Sequence, residues 1–275
     1  MTEEDITRIK VIVLTLVITV VLSVLLKEAV VLLRPCEYIA GAECPWGYAF
    51  PSFHTSTAFS FVFPLFGHAL FPFIYAIAIL VGLSRVLLLV HTWYDIAGGI
   101  AVAALGYNIA ECILCTRCRI TRGTGEHARQ GIHATLGVLL GIAIWFLGIE
   151  VVLIPLIARI LVGILIVDAK VIGLKVPLID QLLHFYEREG ALPGEGSFYF
   201  GMGTLFTLGL LRFNPDAAIA VILILSLGDA LATSVGTHFG RHKLPWNRSK
   251  SLEGSIGFFV GGLSALIIYP VPVTV

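Results

Sequence analysis

The stretch SRVLLLVHTWYDIAGGIAVAALGYNIAECIL, Ser84 to Leu114, decides the fold class. It sets an arginine, a histidine and a carboxylate around the junction of two apolar runs, 71–90 and 95–113, each long enough to cross a bilayer. Runs of the same kind lie at 11–33, 54–70, 133–149, 150–168, 198–212, 216–235 and 254–270, which gives about nine helices. The run at 198–212 is short and Arg159 interrupts 150–168, so eight is the alternative count. Of the 275 residues 57% are apolar and 13% charged, where soluble domains average about 25% charged. Mean hydropathy is +0.95. An all-α polytopic membrane protein is predicted. Helices apolar on every side carry little amphipathic signal, so run length and hydropathy support this prediction and periodicity does not.

Net charge is zero, so no overall basic field favours nucleic acid, and no nucleic-acid partner is expected. The first apolar run has no small-residue cleavage signature and is expected to remain as a first helix, not to act as a signal peptide. Threading nine spans places Arg8, Lys10, Arg117, Arg119, Arg122, Arg129, Lys170, Lys175, Arg188, Arg241, Lys243, Arg248 and Lys250 on the side of the N-terminus. Only Lys27, Arg34, Arg85 and Arg212 fall on the other side, with Arg159 inside the membrane. By the positive-inside rule the larger set is cytoplasmic. The polar, glycine-containing segment CTRCRITRGTGEHARQG, 115–131, then divides a four-helix half, 1–114, from a five-helix half, 132–275. No repeat relates the halves.

Three blocks of the first half converge on the outer side: KEAVVLLRP (Lys27 to Pro35), PSFH (Pro51 to His54) and SRVLLLVHTWYD (Ser84 to Asp95). Ionisable groups in or beside a bilayer cost several kcal/mol unless paired or wetted, so a functional site is the default interpretation. A phosphate monoester needs cations and amides on its non-bridging oxygens, a nucleophile in line with the leaving oxygen, and an acid to protonate that oxygen. His91 and Asp95 are four apart, so on a helix the carboxylate can orient the imidazole. His91 becomes the candidate nucleophile, Asp95 its orienter and His54 the general acid. Lys27, Arg34 and Arg85 would clamp the phosphoryl group, with Ser52, Ser84 and the amide of Phe53 adding donors.

These blocks resemble the three-part signature of the type-2 phosphatidic-acid phosphatase superfamily, Lys-x6-Arg-Pro, Pro-Ser-Gly-His and Ser-Arg-x5-His-x3-Asp. The spacings of the first and third parts match, and Phe53 stands where the family has glycine. The resemblance covers about 10–113. It implies a phosphohistidine intermediate, no metal, and a phosphorylated lipid as substrate.

The second half has its own cluster, GDALATSVGTHFGRHKLPWNRSKSLEGS, Gly228 to Ser255, assigned to the cytoplasmic side. Gly236 and Gly240 recur four apart, a spacing that lets backbones or a ligand approach closely. Asp229 and Glu253 flank Lys250 and Ser251 beside a helix start at Gly254, a set suited to a divalent metal and a nucleotide triphosphate. This stretch is similar to the catalytic block of the CTP-dependent polyprenol kinases, the dolichol and phytol kinase family, through GDALA, the glycines of GTHFG, the KLP turn and KS-x-EGS. ARQGIH (Ala128 to His133) and FYEREGALPGEGSFYFGMG (Phe185 to Gly203) are weaker matches, the first with Gln130 in place of the common lysine. The resemblance spans about 126–270. It implies Mg²⁺ on Asp229, nucleotide phosphates on Lys250, and a metal or the attacking alcohol on Glu253, with Glu187 and Arg188 as further candidates.

Cys36 and Cys44 share the outer loop and form either a disulfide or two free thiols. Cys112, Cys115 and Cys118 have C-x2-C-x2-C spacing, but with His127 the only near fourth ligand, helix-end packing is expected over a metal site. Arg159 is expected to pair with Asp168 or to snorkel, with a lipid phosphate as the other option. The expected protein is bifunctional: an outward-facing isoprenoid-lipid phosphatase without cofactor, joined to an inward-facing kinase that uses Mg²⁺ and CTP on a polyprenol-type alcohol. The alternatives are a cytidylyltransferase second half that forms a CDP-lipid, and a non-catalytic lipid carrier or scramblase.

Overall fold

Nine α-helices form among the described residues, one on each of the nine apolar runs. The computed structural model describes residues 3–40, 44–114, 126–175, 177, 194–245 and 247–269. The helices are α1 (Glu3–Val30), α2 (Phe53–Val62), α3 (Phe71–Leu87), α4 (Trp93–Ile113), α5 (Glu126–Leu147), α6 (Ile149–Val171), α7 (Glu195–Leu210), α8 (Pro215–His238) and α9 (Leu252–Ile268). Five segments are long and apolar enough to cross a membrane: α1 with the turn after it, α4, α5 from Gln130, α6 and α8. The apolar helices α3 and α9 are shorter, at 17 residues each. The chain is an all-α polytopic membrane protein, with one local exception. Between α8 and α9 the basic loop folds into a two-stranded antiparallel hairpin, β1 (Lys243–Leu244) and β2 (Asn247–Ser251), with Lys243 opposite Ser251.

The chain divides into two compact units. The first comprises Met1–Arg119, Leu153–Lys175 and Gly201–Leu210. In it α4 is the central element, packing on α1 and α2 through small residues. A side chain at Gly106 would collide with Thr19, and one at Gly99 would meet the Ser52 carbonyl oxygen at 2.9 Å. The Cβ-free face of α4 therefore fixes how closely α2 and its preceding loop approach. The Tyr75 hydroxyl of α3 donates to the Leu161 carbonyl of α6 at 2.7 Å, and Asp168 of α6 accepts from the Gly67 amide at 2.7 Å. The expected pairing of Arg159 with Asp168 is thus not made. Nine residues on one helix put the two roughly 13 Å apart along the axis, and Asp168 serves a backbone amide instead.

The second unit comprises Ile120–Val152, Val176–Phe200 and Leu211–Val275. Its core is the α8–α9 pair, with α5 against α8. Glycines again set the distance. A Cβ on Gly261 would lie 2.7 Å from the Leu227 carbonyl oxygen, and one on Gly257 3.0 Å from that of Leu231. Caps define the helix starts: the Asn214 side chain accepts from the Ala217 amide at 3.0 Å at the head of α8, and Ser251 Oγ accepts from the Gly254 amide at 3.2 Å at the head of α9.

Candidate functional site

The turn between α3 and α4 delivers His91 to a buried position. Leu89 takes a left-handed φ of 55°, rare for a branched side chain, and the amides of Val90 and His91 both donate to the Arg85 carbonyl at 3.2 Å. His91 is only 2% exposed. Its Nε2 lies 3.2 Å from Nη1 of Arg34, itself buried. Arg34 is fixed by two carbonyls, donating from Nε to Gly47 at 2.8 Å and from Nη1 to Val90 at 3.4 Å. Lys27, one helical turn before the end of α1, donates to the carbonyls of Tyr48 and Ala49. The cations of the first block are thereby held by the loop that leads into the second.

Asp95 is fully buried at the first turn of α4. Its Oδ2 stands 3.6 Å from His91 Nδ1, an ion-pair approach longer than a hydrogen bond. The same oxygen accepts from the Thr92 amide at 2.7 Å and from Thr92 Oγ1 at 3.0 Å, while the Asp95 amide donates back to Thr92 Oγ1 at 3.4 Å. This reciprocal cap starts the helix and fixes the carboxylate beside the imidazole. The Asp95 carbonyl in turn accepts from the Ser52 amide at 2.9 Å, so the second and third blocks are joined through backbone. Ser52 is buried and its Oγ accepts from Thr55 Oγ1 at 2.9 Å.

The geometry gathers Lys27, Arg34, Ser52, His91 and Asp95. The other predicted residues lie around this centre. Arg85 contributes its carbonyl, and its guanidinium Nε donates to Ser84 Oγ at 3.2 Å, whose own hydroxyl donates to the Val81 carbonyl at 2.8 Å. Phe53 opens α2, and its ring meets the exposed His54 edge-on at 6.4 Å. Thr92 was not among the predicted residues, although Thr-x-x-Asp ahead of an apolar run is a capping signature. The anchoring carbonyls of Gly47, Tyr48 and Ala49 had no sequence signal at all. Cys36 and Cys44 form the disulfide, with Cα atoms 5.8 Å apart, in the loop directly after Arg34.

Burial holds the His91 imidazole below its ordinary pKa of 6.5; the nearby Asp95 carboxylate opposes this and the positive charges of Arg34 and Lys27 add to it. The His91 ring therefore stays neutral under mildly acid conditions. The acid limb of kcat/KM for phosphate release should lie below pH 6.5, because a histidine with a depressed pKa protonates only after the pH has passed its free value. A limb at or above 6.5 in a pH–rate profile would contradict this placement.

In the second unit the cluster around Gly228–Ser255 is brought together at the head of α9. Ser251 is buried, and Gly236, Gly240 and Gly254 surround it: an added Cβ on each would lie 3.4, 2.6 and 3.3 Å from Ser251 Oγ. The packing is tightest at Gly240, where an added Cβ would collide with the Gly236 carbonyl oxygen, while one at Gly236 would meet only ordinary contacts. Lys250 is exposed on β2, and Asp229 is half-buried on α8. Glu253 binds the backbone amide of His242 at 3.1 Å and its Nδ1 at 2.6 Å, a partner that no spacing in the sequence had indicated. No group of three or more His, Cys, Asp or Glu poised for a metal occurs among the described residues. Glu187, Arg188, Cys115, Cys118 and the His127 side chain lie outside the described residues; Cys112 is exposed at the end of α4.

Comparison with known proteins adds two relationships. Residues 9–115 match the PAP2 superfamily, a span that contains all three blocks of the first site. The chain is also 31% identical over 144 residues to "Probable phytol kinase 2, chloroplastic" of Oryza sativa subsp. japonica, covering 51% of this chain and 47% of the relative. It is 30% identical over 143 residues to "Farnesol kinase, chloroplastic" of Arabidopsis thaliana, covering 51% and 46%. A match to the PAP2 superfamily and similarity to phytol and farnesol kinases occur in one chain. "Phytol kinase" of Synechocystis sp. is 28% identical over 179 residues, 63% of this chain and 70% of the relative. The chain spans about half the length of the two plant relatives. No solved structure matches.

Proposed function

We propose that this chain is a bifunctional lipid enzyme, releasing phosphate from an isoprenoid lipid phosphate through a phosphohistidine and phosphorylating a polyprenol-type alcohol from CTP. The observation that carries the first activity is the buried Arg34–His91–Asp95 arrangement, built from two blocks far apart in sequence. A phosphoryl group set between Arg34 and His91 would take over the guanidinium's donors and face the Nε2 lone pair. Asp95, fixed by Thr92, would hold the opposite ring nitrogen and stabilise the charge that develops on the ring during attack. His54 would protonate the leaving alkoxide, and its exposure leaves it open to substrate.

The second activity is supported by homology to phytol and farnesol kinases and by the Ser251 glycine cradle. Asp229 supplies hard oxygen donors, which suits Mg²⁺ because that ion is usually held by one or two carboxylates together with substrate phosphates. Bound Mg²⁺ would neutralise triphosphate charge. Lys250, exposed on the hairpin, would bind nucleotide phosphates, and the Glu253–His242 pair would accept the proton of the attacking alcohol. The distribution of cations supports a phosphatase site outside and a kinase site inside.

Purified chain with metal-free isoprenyl phosphates should release phosphate, and with farnesol or phytol plus CTP and Mg²⁺ it should yield CDP. Pyrophosphate released from CTP and an isoprenyl phosphate, with no CDP from the alcohol, would make the second half a cytidylyltransferase. Strictly metal-dependent phosphate release would overturn the histidine mechanism.

A further inference from the structure

The centre of α6 carries a cation that neither proposed reaction uses. Arg159 stands near the middle of Ile149–Val171, at least roughly 15 Å from either end at about 1.5 Å per residue. Along the same helix Val151, Ile154, Val162 and Leu165 are exposed and apolar, and Arg159 is exposed among them. Among the described residues it makes no ion pair, since Asp168 is committed to the Gly67 amide. Snorkelling serves arginines near helix ends, and this one lies too deep. An arginine at such depth is retained where an anion or water meets it.

Arg159 reaches α7 at Gly201, where an added Cβ would collide with Ile160 Cδ1 and lie 3.1 Å from Arg159 Nη2, so α6 and α7 pack closely beside the guanidinium. Eight residues further, roughly 12 Å along α7, Gly209 packs against Phe50 and the Tyr94 carbonyl, the segments that carry Ser52 and Asp95. Arg159 therefore lies within the apolar zone about 12 Å along α7 from the wall of the phosphatase site, on the same compact unit.

We propose that Arg159 is a membrane-embedded binding point for the phosphate head group of a lipid crossing between leaflets. The planar guanidinium fork can take two phosphate oxygens at once, and the exposed apolar face beside it leaves the lipid chain in the bilayer. The identity of the lipid rests on the reading of this chain as a lipid-phosphate enzyme.

The test reconstitutes the His91→Asn chain in phosphatidylcholine vesicles holding a trace of isoprenyl monophosphate with a fluorophore on its tail, so that the probe is not hydrolysed. Quenching by an impermeant reductant then reports arrival at the outer leaflet. The probe should cross faster than in protein-free vesicles, and adding Arg159→Leu should return the rate to the protein-free value. Arg159→Lys should retain part of the gain, and the unphosphorylated probe should cross equally in every chain. Equal crossing of the phosphate probe in the Arg159→Leu chain, or no gain in the parent chain, overturns the proposal. So does slowing by millimolar inorganic phosphate, which would make a free anion the occupant. Leucine on an exposed apolar stripe preserves folding, and Arg159→Leu alone should release phosphate from a short-chain substrate at the unaltered rate. That arm separates failure of the crossing step from failure of the phosphatase reading.

Discussion

Replacing His91 by asparagine should abolish phosphate release from isoprenyl phosphates, with kcat reduced by several powers of ten and KM little changed. Asparagine keeps the approximate size of the ring and can still accept from Arg34, so the buried pocket should hold its shape. What is lost is the nucleophilic nitrogen, and with it the covalent route. The loss is one of an interaction made in the transition state, which lowers kcat and kcat/KM together. Phosphorylation of farnesol from CTP in the same preparation should be unaffected. A His91→Asn chain that still releases phosphate at more than a small fraction of the parent rate would remove the phosphohistidine from the mechanism, whatever the family resemblance.

Gly261→Leu should eliminate the kinase activity and spare the phosphatase. An added Cβ at Gly261 would sit 2.7 Å from the Leu227 carbonyl oxygen and 2.9 Å from Gly228 Cα, both backbone atoms that cannot turn aside. Overpacking of a buried contact costs about 1–3 kcal/mol where side chains can adjust, and a backbone clash sits at the upper end or beyond. The α8–α9 pair would have to separate, and Ser251 with its surrounding glycines would lose its arrangement at the head of α9. Gly261 carries no proposed chemistry, so the effect isolates packing from catalysis. The check is a thermal melt in detergent alongside both activity assays. Parallel loss of phosphate release would show that the two activities depend on one cooperative fold.

The three blocks were legible because membrane context makes polar residues conspicuous: Lys27, Arg34, His91 and Asp95 interrupt apolar sequence where neither sign of charge is otherwise expected. Helix positions were legible for the same reason, and each predicted run holds a helix. Partners are less legible where polar side chains meet backbone. Asp95 was assigned to His91 from an i, i+4 spacing, yet its nearer partner is Thr92, and the imidazole stands 3.6 Å away. Asp168 was matched with Arg159 by charge, but an amide from the α2–α3 turn takes it. Glu253 was assigned to a metal or to the alcohol by resemblance, and it is the neighbouring hairpin that brings His242 onto its carboxylate. Backbone donors and acceptors are present at nearly every residue, so spacing alone cannot say which of them a side chain will meet.

By itself the sequence determined the all-α membrane class, the approximate place of each helix and the residue types available for phosphoryl transfer, because apolar length and isolated charge are properties of the chain before it folds. Only the tertiary structure decided that Arg34 meets His91 across 57 residues, that Cys36 joins Cys44, and that the glycines at 236, 240 and 254 close around Ser251. Those contacts depend on how closely helices approach, and that distance is set by side chains missing from α4, α8 and α9, which no local pattern records until the helices are packed.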